Sequence, residues 1–406
     1  MAGTCDLLRG RKRIVTAKVE TNEGEDSTPT PAANAILVNS VEVQPQPNLL
    51  QANELTGKLD AGEFDIGGFP LQVPIAVNCK PGPDGATEPE AGVLLKACGL
   101  QVATNTEKMG TATGGTTKTL TLNRSIDTDF PATDGALVGQ PIIIGFGGGD
   151  VLATIISYAV SGSTVTIGLS VTLDTPPTTE DVTVPANITY RPYEGCPPTL
   201  TIYVYEDGIL WKILGCRGNA EWTVDAGGRA VMTCTFTGFF GGKTDVPLPT
   251  DTVAYQDVRP GIWKDGIMTV DSARAAVQQL TTNLGNTLPY PGDPNEPEGF
   301  LPPIITGRDI QGQINPFETL TATRNIFVDF RNGTKRAIAA AMQRETDGHW
   351  TAFTFPAGKY RNASPTDRDG LDAVSAPFSA INESAEHPEK GDSGFYLAFF
   401  YEPVGS

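Results

Sequence analysis

The sequence is short of the residues that do chemistry. Its 406 residues include two histidines, His349 and His387. Neither stands in a triad or at metal-ligand spacing, so the commonest general base and metal ligand is nearly absent. His349 lies beside Trp350 at the start of a strand, and His387 falls in "SAEHPEKGD", an exposed loop; a structural role is expected for both. Basic residues are also scarce: 29 Lys and Arg against 47 Asp and Glu leave a net charge of -18. That balance repels phosphate and excludes a protein that grips nucleic acid, while it suits a surface that nucleic acid must pass without sticking. No run interleaves aromatic with basic residues, so no single-strand platform is expected. No segment approaches the ~20 apolar residues of a membrane-spanning helix. The opening "MAGTCDLLRGRKRIVTAKVE" has a basic run but no apolar stretch of a signal peptide. Synthesis and retention in a cytoplasm are therefore expected, with no insertion of this chain into a membrane.

The cysteines Cys5, Cys79, Cys98, Cys196, Cys216 and Cys234 form no CxxC pair and no zinc-like spacing. Free thiols in a reducing compartment are expected. Cys216 and Cys234 are candidates to lie near each other on neighbouring strands, but sequence does not place them within bonding distance. "GFGGGD" (145–150) lacks the Gly-Lys-Ser/Thr ending of a phosphate cradle and no helix follows it, so it reads as a hairpin turn. Asp367, Asp369 and Asp372 in "PTDRDGLD" lack the downstream bidentate glutamate of a calcium loop and read as a solvated turn. No catalytic, cofactor-binding or metal-ligating residue is nominated, and an enzyme is not expected.

What the chain does have is turns and alternation. Gly (45) and Pro (32) are plentiful while charged residues are only 19%, which favours strands and tight turns over long helices. "LGCRGNAEWTVDAGGRAVMTCTFTGFF" (214–240) alternates with period two on either side of Asp225-Ala226-Gly227-Gly228, where the two glycines can supply positive φ. "TLTIYVYEDGILWKILGC" is a second hairpin, turning at Glu206-Asp207-Gly208. "TLTIYVYEDG" and "GFYLAFFYE" are apolar on both faces, although a monomer needs only one buried face; this points to assembly.

The order strand, long loop, strand, helix, hairpin occurs twice. "RIVTAKVE", "FPLQVPIAVNC", the helix in "EPEAGVLLKACGL" and the hairpins above make the first set. "GIMTVDSARAAVQQL", "IITGRDIQGQINPF", a helix in "TKRAIAAAMQRE" and the paired strands after His349 make the second. Between them, Thr/Gly/Val/Ile strands at 104–186 read as an inserted barrel or sandwich. The expected organisation is a first β domain at 1–103 and 187–245, the insert at 104–186, and a second β domain at 246–406.

Several stretches resemble the tail tube (major tail) proteins of long-tailed bacteriophages. These are "RGRKRIVTAKVETNEGEDSTPTPAANAILVNSVEVQP", "LLKACGL", "TLTIYVYEDGILWKILGCRGNAEWTVDAGGRAVMTCTFTGFF", "IITGRDIQGQINPFETL" and "GDSGFYLAFFYE". The resemblance implies a mainly β fold, with two tail-tube-type β-sandwich units, each with a flanking helix, beside the insert. It implies a structural virion protein whose stacked rings form a channel for DNA ejection. In that setting the partners are further copies of the chain, a tape measure protein inside the tube, and terminator and distal tail proteins, with no cofactor. Two units per chain imply a trimer with pseudo-sixfold symmetry, the alternative being a hexamer. The long loops 47–68 and 289–303 are then corresponding arms, and the channel wall is expected to be net negative. The rival readings are a tail-fibre-like adhesion protein and a hydrolase with an unusual site.

Overall fold

The computed structural model describes residues 8–52, 62–250, 252–344, 348–382 and 393–402. His387 and Cys5 lie outside them. The chain is mainly antiparallel β-structure.

The first half contains β1 (Arg13–Val19), β2 (Pro70–Asn78), α1 (Gly92–Ala97), β3 (Leu100–Asn105), β4 (Asn187–Pro192), β5 (Leu200–Glu206), β6 (Ile209–Asp225) and β7 (Ala230–Asp245). Its lateral order is β1-β5-β6-β7-β2. The second half contains β8 (Ile262–Val270), β9 (Val277–Asn283), β10 (Gln311–Pro316), α2 (Ile326–Asn332), β11 (Lys335–Arg344), β12 (His349–Tyr360), β13 (Ser364–Arg368), β14 (Leu371–Ala380) and β15 (Tyr396–Tyr401). Its lateral order is β8-β11-β12-β14-β10. The last strand of each ladder comes second in the chain, and each half's helix follows it. One pairing scheme is thus present twice.

Alternation explains the main sheet. In β2 every second residue, Leu71, Val73, Ile75 and Val77, is buried, while the intervening ones are half-exposed. Those side chains share one core with Trp222 and Phe236 of the first half and Ile338, Phe353, Phe355, Phe378 and Phe395 of the second. The Trp222 ring lies 5.3 Å from Phe395 and 6.4 Å from Phe353, so the two halves are sealed against each other by aromatic contact.

Residues 108–184 form a closed six-stranded barrel with its own apolar core. It is carried on β3 and β4, whose ends meet at Asn105 opposite Asn187. Although inserted in the first half, it rests on the second. Tyr396 of β15 belongs to the barrel core. The Ser272 hydroxyl donates to the Leu169 carbonyl at 2.7 Å, and the Thr172 hydroxyl donates to the Ser272 carbonyl at 2.8 Å.

Two expectations are corrected. The alanine-rich segment expected to be helical, 334–345, is strand β11 over its described part. It is clamped between β8 and β12, and its small side chains are buried on both faces: Ala340 with Ile338 and Met342 in the main core, Ala341 on the other side. A run apolar on both faces fits a doubly covered strand, and tertiary pairing overrides alanine's helix propensity. The helix lies just upstream at Ile326–Asn332, with the Asn325 side chain accepting from the Val328 amide at 3.0 Å and Gly333 ending it at φ 63°.

The second correction concerns the strands apolar on both faces. Neither leaves a face for a partner. On β5, Ile202 and Val204 enter the main core, while Tyr203 and Tyr205 are covered by Val246, Leu248 and Val253 of the proline-rich linker. On β15, Leu397 and Phe399 enter the main core, while Ala398 and Phe400 pack with Trp350 against Leu152 of the barrel. The linker and the insert supply the missing cover.

Candidate functional site

The most distinctive feature is a sheet that passes without a break from one half to the other. The first part of β6 pairs with β5, and its last residues pair with β9, from Glu221 opposite Asn283 to Asp225 opposite Gln279. The lateral order is therefore β2-β7-β6-β9-β10-β14-β13. One face of this sheet covers the core. Directly opposed residues share a face, so the other face can be read across the strands. One row runs Ala76, Thr233, Glu221, Asn283, Gln311, Ser379, and a second runs Asn78, Val231, Thr223, Thr281, Gln313, Pro377. Hydroxyls and amides dominate. The first row continues past Ser379 to Lys359 of β12 and Lys335 of β11; its charged residues are these two lysines and Glu221, which accepts from the Asn283 amide. Asp225, beside them, accepts from the Gln279 amide at 2.8 Å. The surface is polar and nearly neutral, so the chain's charge of -18 is carried mostly elsewhere.

The seam is reinforced at both ends. At the turn end, the Ala226 amide donates to the Gln278 carbonyl at 2.7 Å, the Trp263 amide donates to the Gly228 carbonyl at 2.8 Å, and the Gly227 amide donates to the Trp263 carbonyl at 2.9 Å. At the other end, the segment between β9 and β10 lies over the first half. The buried Arg217 donates to the carbonyls of Pro303 and Pro197, both at 2.9 Å, and pairs with Glu23. A buried guanidinium held by carbonyls and a carboxylate fixes the position of the loop that supplies them. Arg308 donates to the carbonyls of Gly99 at 2.9 Å and Tyr193 at 3.1 Å; burial pulls its pKa below the ordinary arginine value. Tyr290 lies 5.7 Å from Phe239, and burial raises its hydroxyl pKa.

Residues 47–68, too irregular to assign from sequence, contain a two-stranded arm, Asn48–Gln51 against Phe64–Gly68. Leu49, Leu50, Phe64 and Ile66 on it are all more than half exposed. The other long loop, 289–303, differs: it is folded back on the first half, with the Phe69 amide donating to Glu298 at 2.8 Å.

The remaining residues singled out in the sequence occupy structural places. His349 is buried at the start of β12, its ring 5.1 Å from Tyr401. Asp369 and Gly370 both take positive φ in a two-residue turn, flanked by Asp367 opposite Asp372. Gly147 and Gly148 tip a hairpin closed by Phe146 and Gly149. Of the two glycines at 227–228, only Gly227 has positive φ. Cys216 and Cys234 are buried free thiols, like Cys79 and Cys98, whereas Cys196 is exposed. Burial pushes the Cys79, Cys98 and Cys216 thiols up, which keeps them unreactive. Sequence reasoning missed Arg217 and Arg308, for which no periodic signal exists. It also missed the β6–β9 seam, which joins residues more than fifty positions apart. Among the described residues no helix is long and apolar enough to cross a membrane. No model of a known protein family matches the chain, and no curated protein sequence matches it.

Proposed function

We propose that this chain is a structural subunit of a bacteriophage tail tube, assembling into stacked rings around a channel for DNA. The observation that carries the reading is the joined sheet: two like-ordered ladders share one continuous surface whose exposed side is mostly hydroxyl and amide, with few charges and no excess of either sign. A polyanion sliding over such a wall meets mostly hydrogen-bonding groups that water also satisfies, with cations confined to Lys359 and Lys335 at one end of a row. The wall in this reading is sparsely charged rather than strongly negative: its carboxylates, Glu221 and Asp225, are engaged by amides and are matched in number by Lys359 and Lys335. Each chain supplies two wedges, so three chains fill a sixfold circle. Tape measure, terminator and distal tail proteins are the partners this role requires, the site of assembly is the host cytoplasm, and the final location is the virion. Electron microscopy of the purified protein, reconstructed without imposed symmetry, tests the reading. Rings or tubes with a central hole and three chains per ring are expected; six identical chains per ring would sink the trimer, and dispersed particles without a hole would sink the tube.

A further inference from the structure

The seam inside the chain shows how two of these halves join, and each chain carries one unused half of that seam at either end. In the second half, β9 is the strand that crosses to the first. It follows β8 after a short piece, Ala273–Arg274, that pairs back on β8, and it then pairs with β10. The first half repeats this order: Ala35–Ile36 pairs back on β1, and Ser40–Val41 and Gln44–Pro45 then pair with β2. The other edge of β9 is taken by β6. Among the described residues, no second strand pairs with the other edge of Ser40–Pro45. The receiving side is repeated as well. The end of β6 leads into the turn before β7, and β13 leads into the turn before β14. The end of β6 receives β9; among the described residues β13 pairs with β14 alone.

The segments that follow the crossing strands correspond too. Residues 284–310 come after β9 and lie over the first half. Residues 46–69 come after Gln44–Pro45 and hold the arm, whose Leu49, Leu50, Phe64 and Ile66 are more than half exposed. An isolated two-stranded ribbon is marginal in water, so this one needs a surface to lie on. Inside the chain, that surface is the neighbouring half. For the first half's arm, the neighbouring half belongs to another copy.

We propose that copies of this chain join head to tail by repeating the internal seam. The outer edge of β13 in one copy receives the Ser40–Pro45 edge of the next, and the arm of that next copy lies over β12 and β14 of the first. The contact is heterologous, because the two surfaces differ and lie on opposite sides of the chain. Pro45 and Pro365 carry no N–H, so this ladder has fewer hydrogen bonds than the internal one and leans more on the arm's apolar groups. Closure into a ring rests on the tube reading; the seam itself does not.

Two variants test it. In the arm variant, Leu49→Ser, Leu50→Ser, Phe64→Ser and Ile66→Ser are combined. The edge variant is Asp367→Pro. Arg368 and Leu371 close a two-residue turn and form its hydrogen-bonded pair, so the Asp367 N–H points away from β14; the substitution keeps the ladder and removes from the turn only the Asp367 carboxylate that accepts from the Gly370 amide at 3.4 Å. By sedimentation velocity the wild-type chain assembles, while each variant alone is a monomer with an unchanged circular dichroism spectrum. An equimolar mixture forms a dimer and stops, because one intact edge and one intact arm remain. Zero-length crosslinking of the wild-type assembly gives a second readout that needs no variant: Glu63 or Asp65 of the arm joins Lys359 on β12 of another copy. Wild-type-like assembly by either variant, a mixture as inert as its components, crosslinks confined to other surfaces, or a wild-type chain that is monomeric at every soluble concentration overturns the proposal. A seam dimer without rings or tubes keeps the proposal and removes the tube reading.

Discussion

Strands β5 and β11 hold the same place in the two halves and are made of different residues. "LTIYVYE" brings β-branched and aromatic side chains; "KRAIAAAMQR" brings alanine. Both are buried on two faces, but under different covers. The tyrosines of β5 meet a thin strip of linker, Val246 to Val253, and large rings fill the space. Ala341 of β11 lies in a layer with Trp350, Ala352, Ala398 and Phe400, against which Leu152 of the barrel rests. Side-chain size differs between the two strands, while the ladder order is indifferent to it. The long loops differ: 289–303 is folded onto a neighbouring half, whereas the arm within 47–68 touches that loop at Gly68 and leaves Leu49, Leu50, Phe64 and Ile66 more than half exposed.

The strongest way to break the comparison is to attack what the halves share. Trp222 is 1% exposed and touches Phe353 and Phe395 across the divide. Trp222→Ala should cost about 3–5 kcal/mol. Urea denaturation of the variant, followed by near- and far-ultraviolet circular dichroism, should still give one transition. Two separated transitions would mean that the halves are independent domains and not one core.

A smaller effect should come from removing the barrel. Asn105 and Asn187 face each other at the end of β3 and β4, so a short Gly/Ser loop can replace 106–186. The loss should fall on the second half, where Tyr396 would be stripped of its cover, at about 2 kcal/mol. Hydrogen exchange should show the weakening at β15 and not at β1. Rings should still form; a folded deletion variant that no longer assembles would show that the barrel makes ring contacts.

The smallest test compares two turns that close the corresponding hairpins. Gly227 (φ 74°) and Gly370 (φ 80°) both sit where an added Cβ meets no atom within 4 Å, so only backbone strain opposes a side chain. Gly227→Ala and Gly370→Ala should each cost about 1 kcal/mol in urea unfolding. Clearly unequal losses would show that the turns are not equivalent.

The hairpins were legible because period-two alternation and turn residues act over a few positions. The ladder 230–245 with 209–225 and the turns at Asp207-Gly208 and Gly147-Gly148 needed no distant information. The helix in the second half was misplaced because alanine favours helix locally while β8 and β12, 60 to 80 and about ten residues away in the chain, demand a strand. The Asn325 cap and Gly333 were a readable signal for the true helix, outweighed by the alanine run.

Of the candidate site, sequence conveyed the polar alternation of Thr233, Thr235 and Thr237 and of Gln311 and Gln313. It did not convey that these residues share one surface. By itself, then, the sequence determined that the chain is mainly β, that its hairpins have a buried and a polar face, and that its histidine and cation content is low. These are properties of composition and of neighbours in the chain. Only the tertiary structure decided that β6 leaves β5 for β9, that the linker and the barrel cover the second faces of β5 and β15, and that the arm is left bare. Those outcomes depend on which distant surfaces meet, and a one-dimensional pattern of apolar and polar residues specifies that a face must be covered without specifying by what.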